Sequence, residues 1–375
     1  MSCAHPLIGF PTGKQTINGK PEYRIVSSSV LANLESSLDE NLNPGAILIP
    51  CGKCIGCRLD YSRRWADRMI LELETAKKAI FLTLTYDDNH AHPCKYKDIV
   101  PYEGYYPQKK NEFLNEDGTL TVPEFYTLDK RDCQLFMKRL RSYFPDKNLR
   151  YYLAGEYGEK TLRPHYHLIL YGLSVDDFKV CDRGVRCCDC TISEYGFKKC
   201  SSDLISVHAG VNEMGDQYFS SPFLQKIWKN GHVLFSDVTW KTCAYVARYV
   251  TKKVGGDLEK SYEIRNCEKE FSLMSRNPGI GKKYFELHPE CIDSSSICVS
   301  TEDGAKKISI PQYYLRLAEL TEKEKVDIIK ERRKLASVER TKIELSNTSL
   351  PQLEYLESKE QTKKKSVKSL GRGKI

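Results

Sequence analysis

Hydrophobic and polar residues alternate along several short segments of the chain, and other segments carry apolar residues at helical spacing. Successive side chains of a strand point to opposite faces, so the alternation predicts four strands. They span residues 80–86, 149–155, 163–171 and 232–238. Apolar residues at a period near 3.6, in one case after a serine–proline helix start, predict four helices. They span residues 59–78, 128–144, 221–229 and 240–254.

From residue 80 to residue 238 the predicted order is strand, helix, strand, strand, helix, strand. This is the split β-α-β arrangement of ferredoxin-like and RRM-like domains. In that arrangement the first and third strands lie at the centre of an antiparallel sheet. We therefore predict an α+β fold with a central antiparallel sheet in which segment 163–171 is a central strand. Residues 87–126 and 173–220 interrupt the pattern, and we interpret both as insertions.

The chain outside this sheet changes character towards each end. Residues 1–58 show neither period and contain several prolines, so we interpret them as an irregular N-terminal region that ends in a cysteine knuckle. Residues 59–290 contain the predicted sheet domain. Residues 291–358 are predicted to be a mostly helical extension. Residues 359–375 are strongly basic without a face that could pack, which predicts a disordered tail.

Composition narrows the class of protein. The 375 residues, of which 40% are hydrophobic, suffice for one large domain or two ordinary ones. A net charge of +8 permits a polyanionic partner without requiring one. No apolar run approaches the ~18 residues of a membrane span, and no signal-peptide pattern is visible, so we expect a cytoplasmic protein without membrane contact. In a reducing compartment its 15 cysteines are expected to be thiols or metal ligands.

Two histidines are separated by one residue in the third predicted strand. His165 and His167 therefore point to the same face of the sheet. Two imidazoles side by side form half of a metal site, although an isolated pair of this kind is more often free of metal. If the preceding hairpin is symmetric about residues 160–161, Glu156 lies opposite His165 and is the third ligand. A register shift of one residue would turn Glu156 away and favour Glu159 instead.

The helix at 240–254 carries two tyrosines on the side opposite its apolar stripe. Tyr245, Tyr249 and Lys252 share that side, where aromatic pairs most often simply pack against another part of the protein. Beside a metal site they indicate a different chemistry. The phenolic oxygen of Tyr245 or Tyr249 could attack a phosphodiester and form a covalent phosphotyrosine. Lys252 could neutralise the developing charge or lower a tyrosine pKa.

Three cysteines with C-x-x-C-x-x-C spacing precede the first predicted helix. Cys51, Cys54 and Cys57 have the spacing of a zinc knuckle and are candidate ligands of a structural zinc ion. A closed zinc site needs a fourth ligand, for which we consider Cys94 and a later group of cysteines. That group comprises Cys181, Cys187, Cys188, Cys190 and Cys200. The alternative interpretation is a set of free buried thiols.

Several of these segments resemble the motifs of HUH endonucleases. His165-Tyr-His167 resembles the HUH motif, residues 81–86 resemble the first motif of the superfamily, and residues 245–252 resemble its two-tyrosine motif. Further segments are similar to replication initiation proteins of microviruses, in the gokushovirus branch. They are residues 50–58, 155–158, 163–167 and 274–281. The resemblance covers residues 50–290 approximately.

The resemblance implies an enzyme that nicks and rejoins single-stranded DNA at a phage origin and so initiates rolling-circle replication. It implies Mg²⁺ or Mn²⁺ at the histidines and a 5′-phosphotyrosine intermediate at Tyr245 or Tyr249. Origin DNA is then the expected partner in the host bacterial cytoplasm, where the host replication helicase and polymerase are further candidate partners. Two alternatives stay open: a transposase or plasmid relaxase with the same site, and a non-catalytic protein that binds single-stranded nucleic acid by stacking its tyrosines on bases.

Overall fold

The computed structural model describes most of the 375 residues. The residues that it does not describe are 1–2, 18, 29–36, 38, 40, 95–124, 159–160, 182–190, 193–197, 200–204, 212–216, 250–261, 264, 302–303 and 370–375. The chain divides into two compact units. One, here called the terminal unit, comprises Met1–Arg64, Ile292–Ser294 and Pro311–Lys374. The other, here called the sheet unit, comprises Trp65–Cys291 and Ser295–Ile310.

Strands and helices are numbered in chain order. The strands are β1 (Leu7–Gln15), β2 (Pro21–Ser27), β3 (Ile47–Ile49), β4 (Ala79–Tyr86), β5 (His92–Cys94), β6 (Phe125–Thr127), β7 (Arg150–Tyr157), β8 (Pro164–Tyr171), β9 (Lys179–Cys181), β10 (Thr191–Ile192), β11 (Lys198–Lys199), β12 (Ile205–Val211), β13 (Gln217–Ser220), β14 (Gly231–Asp237), β15 (Phe271–Met274), β16 (Ser296–Thr301) and β17 (Gly304–Ser309). The helices are α1 (Ile55–Ala76), α2 (Lys130–Tyr143), α3 (Pro222–Trp228), α4 (Trp240–Tyr249), α5 (Lys282–Leu287), α6 (Gln312–Ala318), α7 (Lys323–Ser346) and α8 (Gln352–Ser369).

The sheet unit is built around an eight-stranded sheet in the order β15-β7-β8-β4-β14-β13-β12-β9. The four predicted strands are β4, β7, β8 and β14, and they are neighbours in this sheet. β8 lies between β7 and β4 and is antiparallel to both, so the histidine strand is central. The prediction of an α+β fold with a central antiparallel sheet is confirmed. The order β7-β8-β4-β14 is the one that the split β-α-β arrangement requires.

The segment 173–220, predicted only as an insertion, contributes strands to the same sheet. β13 pairs with β14, β12 pairs with β13, and β9 joins β12 in the one parallel pairing of this sheet among the described residues. The insertion therefore lengthens the sheet on the side of β14. The segment 87–126 is described only in part, and its ends form the hairpin of β5 and β6.

The two faces of the sheet carry different residues. One face packs against α2 and α3 through residues such as Leu82, Leu168, Phe136 and Trp228, all fully buried. Side chains alternate along each strand, so His165 and its same-face neighbours on β8 point to the opposite face. Helix α4 packs on β7 and β8 at that opposite face. The alternation of β8 thus separates a purely apolar core from a face that carries titratable groups.

The terminal unit contains a three-stranded antiparallel sheet, so the prediction of an irregular region at 1–58 is wrong. β1 lies between β2 and β3 in this sheet. The prolines that suggested irregular structure are compatible with it. Pro21 is the first residue of β2, and Pro11 lies beyond Leu7–Gly9, where β1 is paired on both sides. A proline removes no hydrogen bond from a ladder at such positions.

The prediction of a disordered tail at 359–375 is wrong over its first part, because α8 extends to Ser369. Glu360 explains why this charged segment packs. Its carboxylate is nearly buried, lies 3.0 Å from Nε2 of His5 and 3.0 Å from Nζ of Lys364, and accepts a hydrogen bond from the backbone N–H of Ile55. Glu360 thereby joins α8 to the start of α1 within the terminal unit. Among the described helices, none is long and apolar enough to cross a bilayer.

Candidate metal site and the tyrosine helix

Three side chains converge on the histidine face of the sheet. His165 and His167 come from β8, and Glu156 comes from the neighbouring strand β7. Glu156 is the direct partner of His165 in the β7–β8 ladder. Nε2 of His165 lies 2.7 Å from Oε1 of Glu156, and Nε2 of His167 lies 3.0 Å from the same oxygen. The register that the symmetric hairpin predicted is therefore present, and Glu159, the alternative, lies outside the described residues.

The carboxylate of this group is buried but remains ionised. Glu156 is 3% exposed and His167 is 5% exposed, while His165 is partly open to solvent. Burial by itself raises the pKa of a carboxyl group. Hydrogen bonds and charge from His165 and His167 outweigh that effect and hold the pKa of Glu156 well below its usual range. One carboxylate oxygen and two imidazole nitrogens within 4.8 Å of one another form a donor set that fits a divalent cation.

The second nitrogen of each imidazole also has a partner. Nδ1 of His165 lies 3.1 Å from the carbonyl oxygen of Arg163, and Nδ1 of His167 lies 3.2 Å from Oγ1 of Thr83. A carbonyl only accepts, so Nδ1 of His165 carries a proton and its Nε2 lone pair can bind a metal. Outer partners of this kind fix the orientation of ligating imidazoles. Thr83 was not among the residues that the sequence singled out for the site.

Replacing Thr83 with valine is expected to weaken metal binding by about 10- to 100-fold, because it removes the hydrogen bond to His167 while keeping the shape of the side chain. Calorimetric titration of the variant with Mn²⁺ would measure this change. Thr85→Val is the matched control, since Thr85 lies on the same face of β4 and pairs with His165 in the ladder, whereas the hydrogen bond to His167 comes from Thr83. Equal Mn²⁺ affinity of the Thr83 variant and the unmodified chain would contradict the orienting role of Thr83.

Helix α4 brings Tyr245 against this group. The ring centroid of Tyr245 lies 5.2 Å from that of His167 and 6.2 Å from that of Phe81, with edge-on geometry in both pairs. Phe81 in turn stacks on His167, with ring centroids 5.6 Å apart and planes inclined by 11°. Tyr245 and Phe81 thus enclose His167 from two sides. The sequence predicted two of these elements separately, a histidine strand and a tyrosine helix, and the structure places them together.

The other predicted residues of the tyrosine helix are described less fully. Tyr249 is the last residue of α4 and lies one turn after Tyr245, so the backbone places both on the same side of the helix. The predicted continuation of this helix to residue 254 and the predicted role of Lys252 fall outside the described residues.

The cysteine knuckle has a fourth cysteine beside it. The Sγ atoms of Cys3, Cys51, Cys54 and Cys57 all lie within 4.8 Å of one another. The fourth member is therefore Cys3, and the prediction of Cys94 or the later cysteines was wrong for Cys94, whose Sγ lies 2.7 Å from Sγ of Cys267. Of the later cysteines, Cys181 lies in β9, and the others lie outside the described residues. No spacing rule connects a cysteine at position 3 with a knuckle at position 51, so no local signal could have identified Cys3.

Segment 274–281 is held by a buried ion pair that the sequence did not indicate. Arg150, at the start of β7, pairs with Glu72 of α1 and donates hydrogen bonds to the carbonyl oxygens of Pro278 and Gly279, at 2.8 and 3.0 Å. Glu72 accepts the backbone N–H of Gly281 at 2.6 Å. Both side chains are almost completely buried. The motif after β15 is therefore fixed to the sheet through its backbone.

Comparison with known proteins adds family relationships to this geometry. Residues 117–254, which include both histidines, Glu156 and both tyrosines, match a family of replication-associated proteins of the ORF2 type. The replication-associated protein ORF2 of Spiroplasma virus 4 is 29% identical over 340 residues, which cover 89% of this chain and 86% of that protein. The replication-associated protein VP4 of Bdellovibrio phage phiMH2K is 30% identical over 275 residues, covering 71% of this chain and 65% of that protein.

A third relative, the replication-associated protein ORF4 of Chlamydia phage 1, is 26% identical over 242 residues, covering 63% of this chain and 46% of that protein. No solved structure shows a significant match to the chain. The relatives agree with the resemblance that the motifs indicated. The chain is a relative of the replication-associated proteins of phages, of the microvirus type.

Proposed function

We propose that this chain nicks one DNA strand at the replication origin of a small phage and later rejoins the ends, through a covalent 5′-phosphotyrosine. The observation that carries this proposal is the position of Tyr245 against His167, inside the group that His167 forms with His165 and Glu156. This arrangement places a candidate nucleophile beside a donor set for a divalent cation. The phage relatives favour a role in replication over transposition or plasmid transfer.

Glu156, His165 and His167 would hold Mg²⁺ or Mn²⁺ in this proposal. The donor set fits either ion, since it combines an ionised carboxylate with two nitrogens and leaves the exposed side of His165 open to a substrate. When bound, the ion would polarise the phosphodiester and stabilise the charge that develops on it. The residues around the group then have defined tasks: Thr83 and the carbonyl of Arg163 orient the imidazoles, and Phe81 packs against His167.

The covalent step uses a tyrosine of α4. The phenolic oxygen of Tyr245 or Tyr249 attacks the phosphorus, the bond from phosphorus to the 3′ oxygen breaks, and the 3′ hydroxyl leaves with the proton that the phenol gives up. The chain is then linked to the 5′ phosphate. Attack by a 3′ hydroxyl reverses the step, restores the phosphodiester and frees the tyrosine. Two tyrosines allow one to hold a DNA end while the other cleaves a second copy of the origin.

Other residues and partners follow from the same proposal. Lys252, one turn after Tyr249 in the sequence, would neutralise charge on the phosphate or lower the pKa of a tyrosine. The split β-α-β strand order supports placing the domain in the HUH superfamily. Single-stranded origin DNA is the proposed partner. The host's helicase and polymerase would extend from the nick in the host cytoplasm.

The proposal is tested by mixing the full chain with labelled single-stranded oligonucleotides that tile the phage's own genome, in Mn²⁺, Mg²⁺ or EDTA. A denaturing gel should show a protein-linked DNA band that requires metal. The band should fall by about 10² to 10³-fold or more in His165→Ala/His167→Ala and in Glu156→Gln, because each change removes a donor that places charge at the reacting phosphate.

His288→Ala is the matched control, since His288 lies after α5 and contacts Glu290, outside the proposed site. It should leave the band unchanged. An undiminished adduct in the double histidine variant would contradict the metal site. DNA that is bound on every oligonucleotide but never becomes covalent would replace the proposal with a non-catalytic single-strand binding protein.

A further inference from the structure

We propose that Cys3, Cys51, Cys54 and Cys57 bind one structural zinc ion, at a site in the terminal unit that is distinct from the histidine group. The four residues bring together two parts of the sequence: the N-terminal residues before β1 and the knuckle that leads into α1. All four are free cysteines without a disulfide bond, and three of them are buried. The proposal does not depend on the proposed nicking activity.

The distances between the sulfur atoms fit a tetrahedral zinc site. Sγ of Cys51 lies 4.0 Å from Sγ of Cys57, and Sγ of Cys54 lies 3.9 Å from Sγ of Cys3. A zinc–sulfur bond of about 2.3 Å in tetrahedral geometry places two ligand sulfurs about 3.8 Å apart. The two pairs share no residue, so they are opposite edges of a tetrahedron with nearly the required length. A disulfide would need sulfurs about 2.05 Å apart, which neither pair approaches.

Backbone N–H groups are directed at the sulfur atoms. The N–H of Cys51 donates to Sγ of Cys3 at 3.3 Å, that of Cys54 to Sγ of Cys51 at 3.3 Å, and that of Cys57 to Sγ of Cys54 at 3.4 Å. Such bonds stabilise a thiolate, which is the form of cysteine that binds a metal. The turn that creates them requires Gly52, whose φ of 74° lies in the left-handed region that other residues rarely adopt.

The chemistry of the four ligands indicates zinc and a structural role. Thiolates are soft ligands and select Zn²⁺ over Mg²⁺ or Mn²⁺, which prefer oxygen ligands. Four protein ligands leave no open position for a substrate, which distinguishes a structural zinc ion from a catalytic one. Cys3, Cys54 and Cys57 are 1%, 7% and 6% exposed, so the site is closed to solvent on most sides.

The position of the site explains what the ion would do. Cys57 lies in the first turn of α1, and Cys3 lies four residues before β1. A metal bond between them fixes the N-terminal residues to the start of that helix across a loop of more than 45 residues. His5, two residues after Cys3, contacts Glu360 of α8, which also accepts the N–H of Ile55. The zinc ion and Glu360 would therefore hold the same junction of the terminal unit.

The test measures the metal content of the full chain by mass spectrometry after dialysis against Mg²⁺ without added zinc. We expect about one zinc per chain, and less than about one fifth of that in Cys3→Ser. Cys298→Ser is the matched control, because Cys298 is exposed in β16 and should leave the zinc content at about one. His165→Ala/His167→Ala should also keep its zinc, which separates the two sites. Unchanged zinc in Cys3→Ser, or iron in place of zinc, would overturn the proposal.

A second measurement uses the unmodified chain, in case Cys3→Ser does not fold. A mercurial reagent is added stepwise in the presence of a zinc indicator dye. Zinc should be released in proportion to the blocking of four thiols, and growth of the protein in Co²⁺ should give the intense thiolate-to-cobalt absorption of a four-sulfur site. Absence of both zinc release and the cobalt band would show that the four cysteines are free thiols.

Discussion

Replacing both Tyr245 and Tyr249 with phenylalanine is expected to abolish the protein–DNA adduct, a fall of about 10³-fold or more, while DNA is still bound. Phenylalanine lacks the phenolic oxygen that is the proposed nucleophile, and loss of a nucleophile removes most of an enzyme's rate. It keeps the aromatic ring, so the packing of position 245 against His167 and Phe81 should survive. The adduct is measured on a denaturing gel, and binding is measured by fluorescence anisotropy with the same oligonucleotide.

The two single variants should differ from each other. Tyr245 contacts the imidazole of His167, so Tyr245→Phe is expected to remove most of the first cleavage. Tyr249→Phe is expected to form the first adduct normally and to fail in the second transfer, which a rejoining assay with two labelled oligonucleotides would detect. Equal first cleavage by Tyr245→Phe and the unmodified chain would instead assign the first attack to Tyr249.

Tyr143→Phe is the matched control for these variants. Tyr143 ends α2 and packs on Phe144 and Phe223, away from the histidine face, so its adduct should form at the normal rate. An adduct that persists in the double tyrosine variant would place the nucleophile outside α4 and would contradict the proposed covalent step.

The central sheet could be predicted from the sequence because each of its elements carries a local pattern. α2 is an example: Phe136, Met137 and Leu140 repeat at helical spacing and are all buried, and Asp129 caps the helix. The pairing of Glu156 with His165 was also predictable. The hairpin is closed by the bond from the N–H of Gly158 to the carbonyl of Arg163, at 3.0 Å, and is symmetric on both sides.

The remaining parts of the fold and the site depend on contacts between distant residues. Thr83 and Phe81 reach His167 because β4 pairs with β8 in one particular register, which the sequence of either strand does not specify. Cys3 meets the knuckle only after β1 has formed its sheet. The basic segment at the end of the chain is helical because Glu360 is buried in the terminal unit, an effect that charge and composition cannot reveal.

Replacing Arg150 with methionine is expected to destabilise the sheet unit by about 3–5 kcal/mol, the typical cost of removing one partner from a buried ion pair. Methionine fills a similar volume but leaves the carboxylate of Glu72, which is 2% exposed, without its guanidinium. The hydrogen bonds to the carbonyls of Pro278 and Gly279 are lost as well. Urea unfolding followed by circular dichroism measures the free energy. Arg276→Met, an exposed change in the same segment, should stay within about 0.5 kcal/mol of the unmodified chain.

A second variant separates the two causes of this loss. In Arg150→Met/Glu72→Gln the buried charge is gone, while a side-chain oxygen remains to accept the N–H of Gly281. If the uncompensated carboxylate dominates, the double variant should be more stable than Arg150→Met alone. If it is equally unstable, the loss comes from the carbonyls of Pro278 and Gly279, and Arg150 acts mainly by holding segment 274–281. A loss below about 1 kcal/mol in Arg150→Met would contradict both explanations, because neither a buried charge nor two buried carbonyls can be left unpaired at so small a cost.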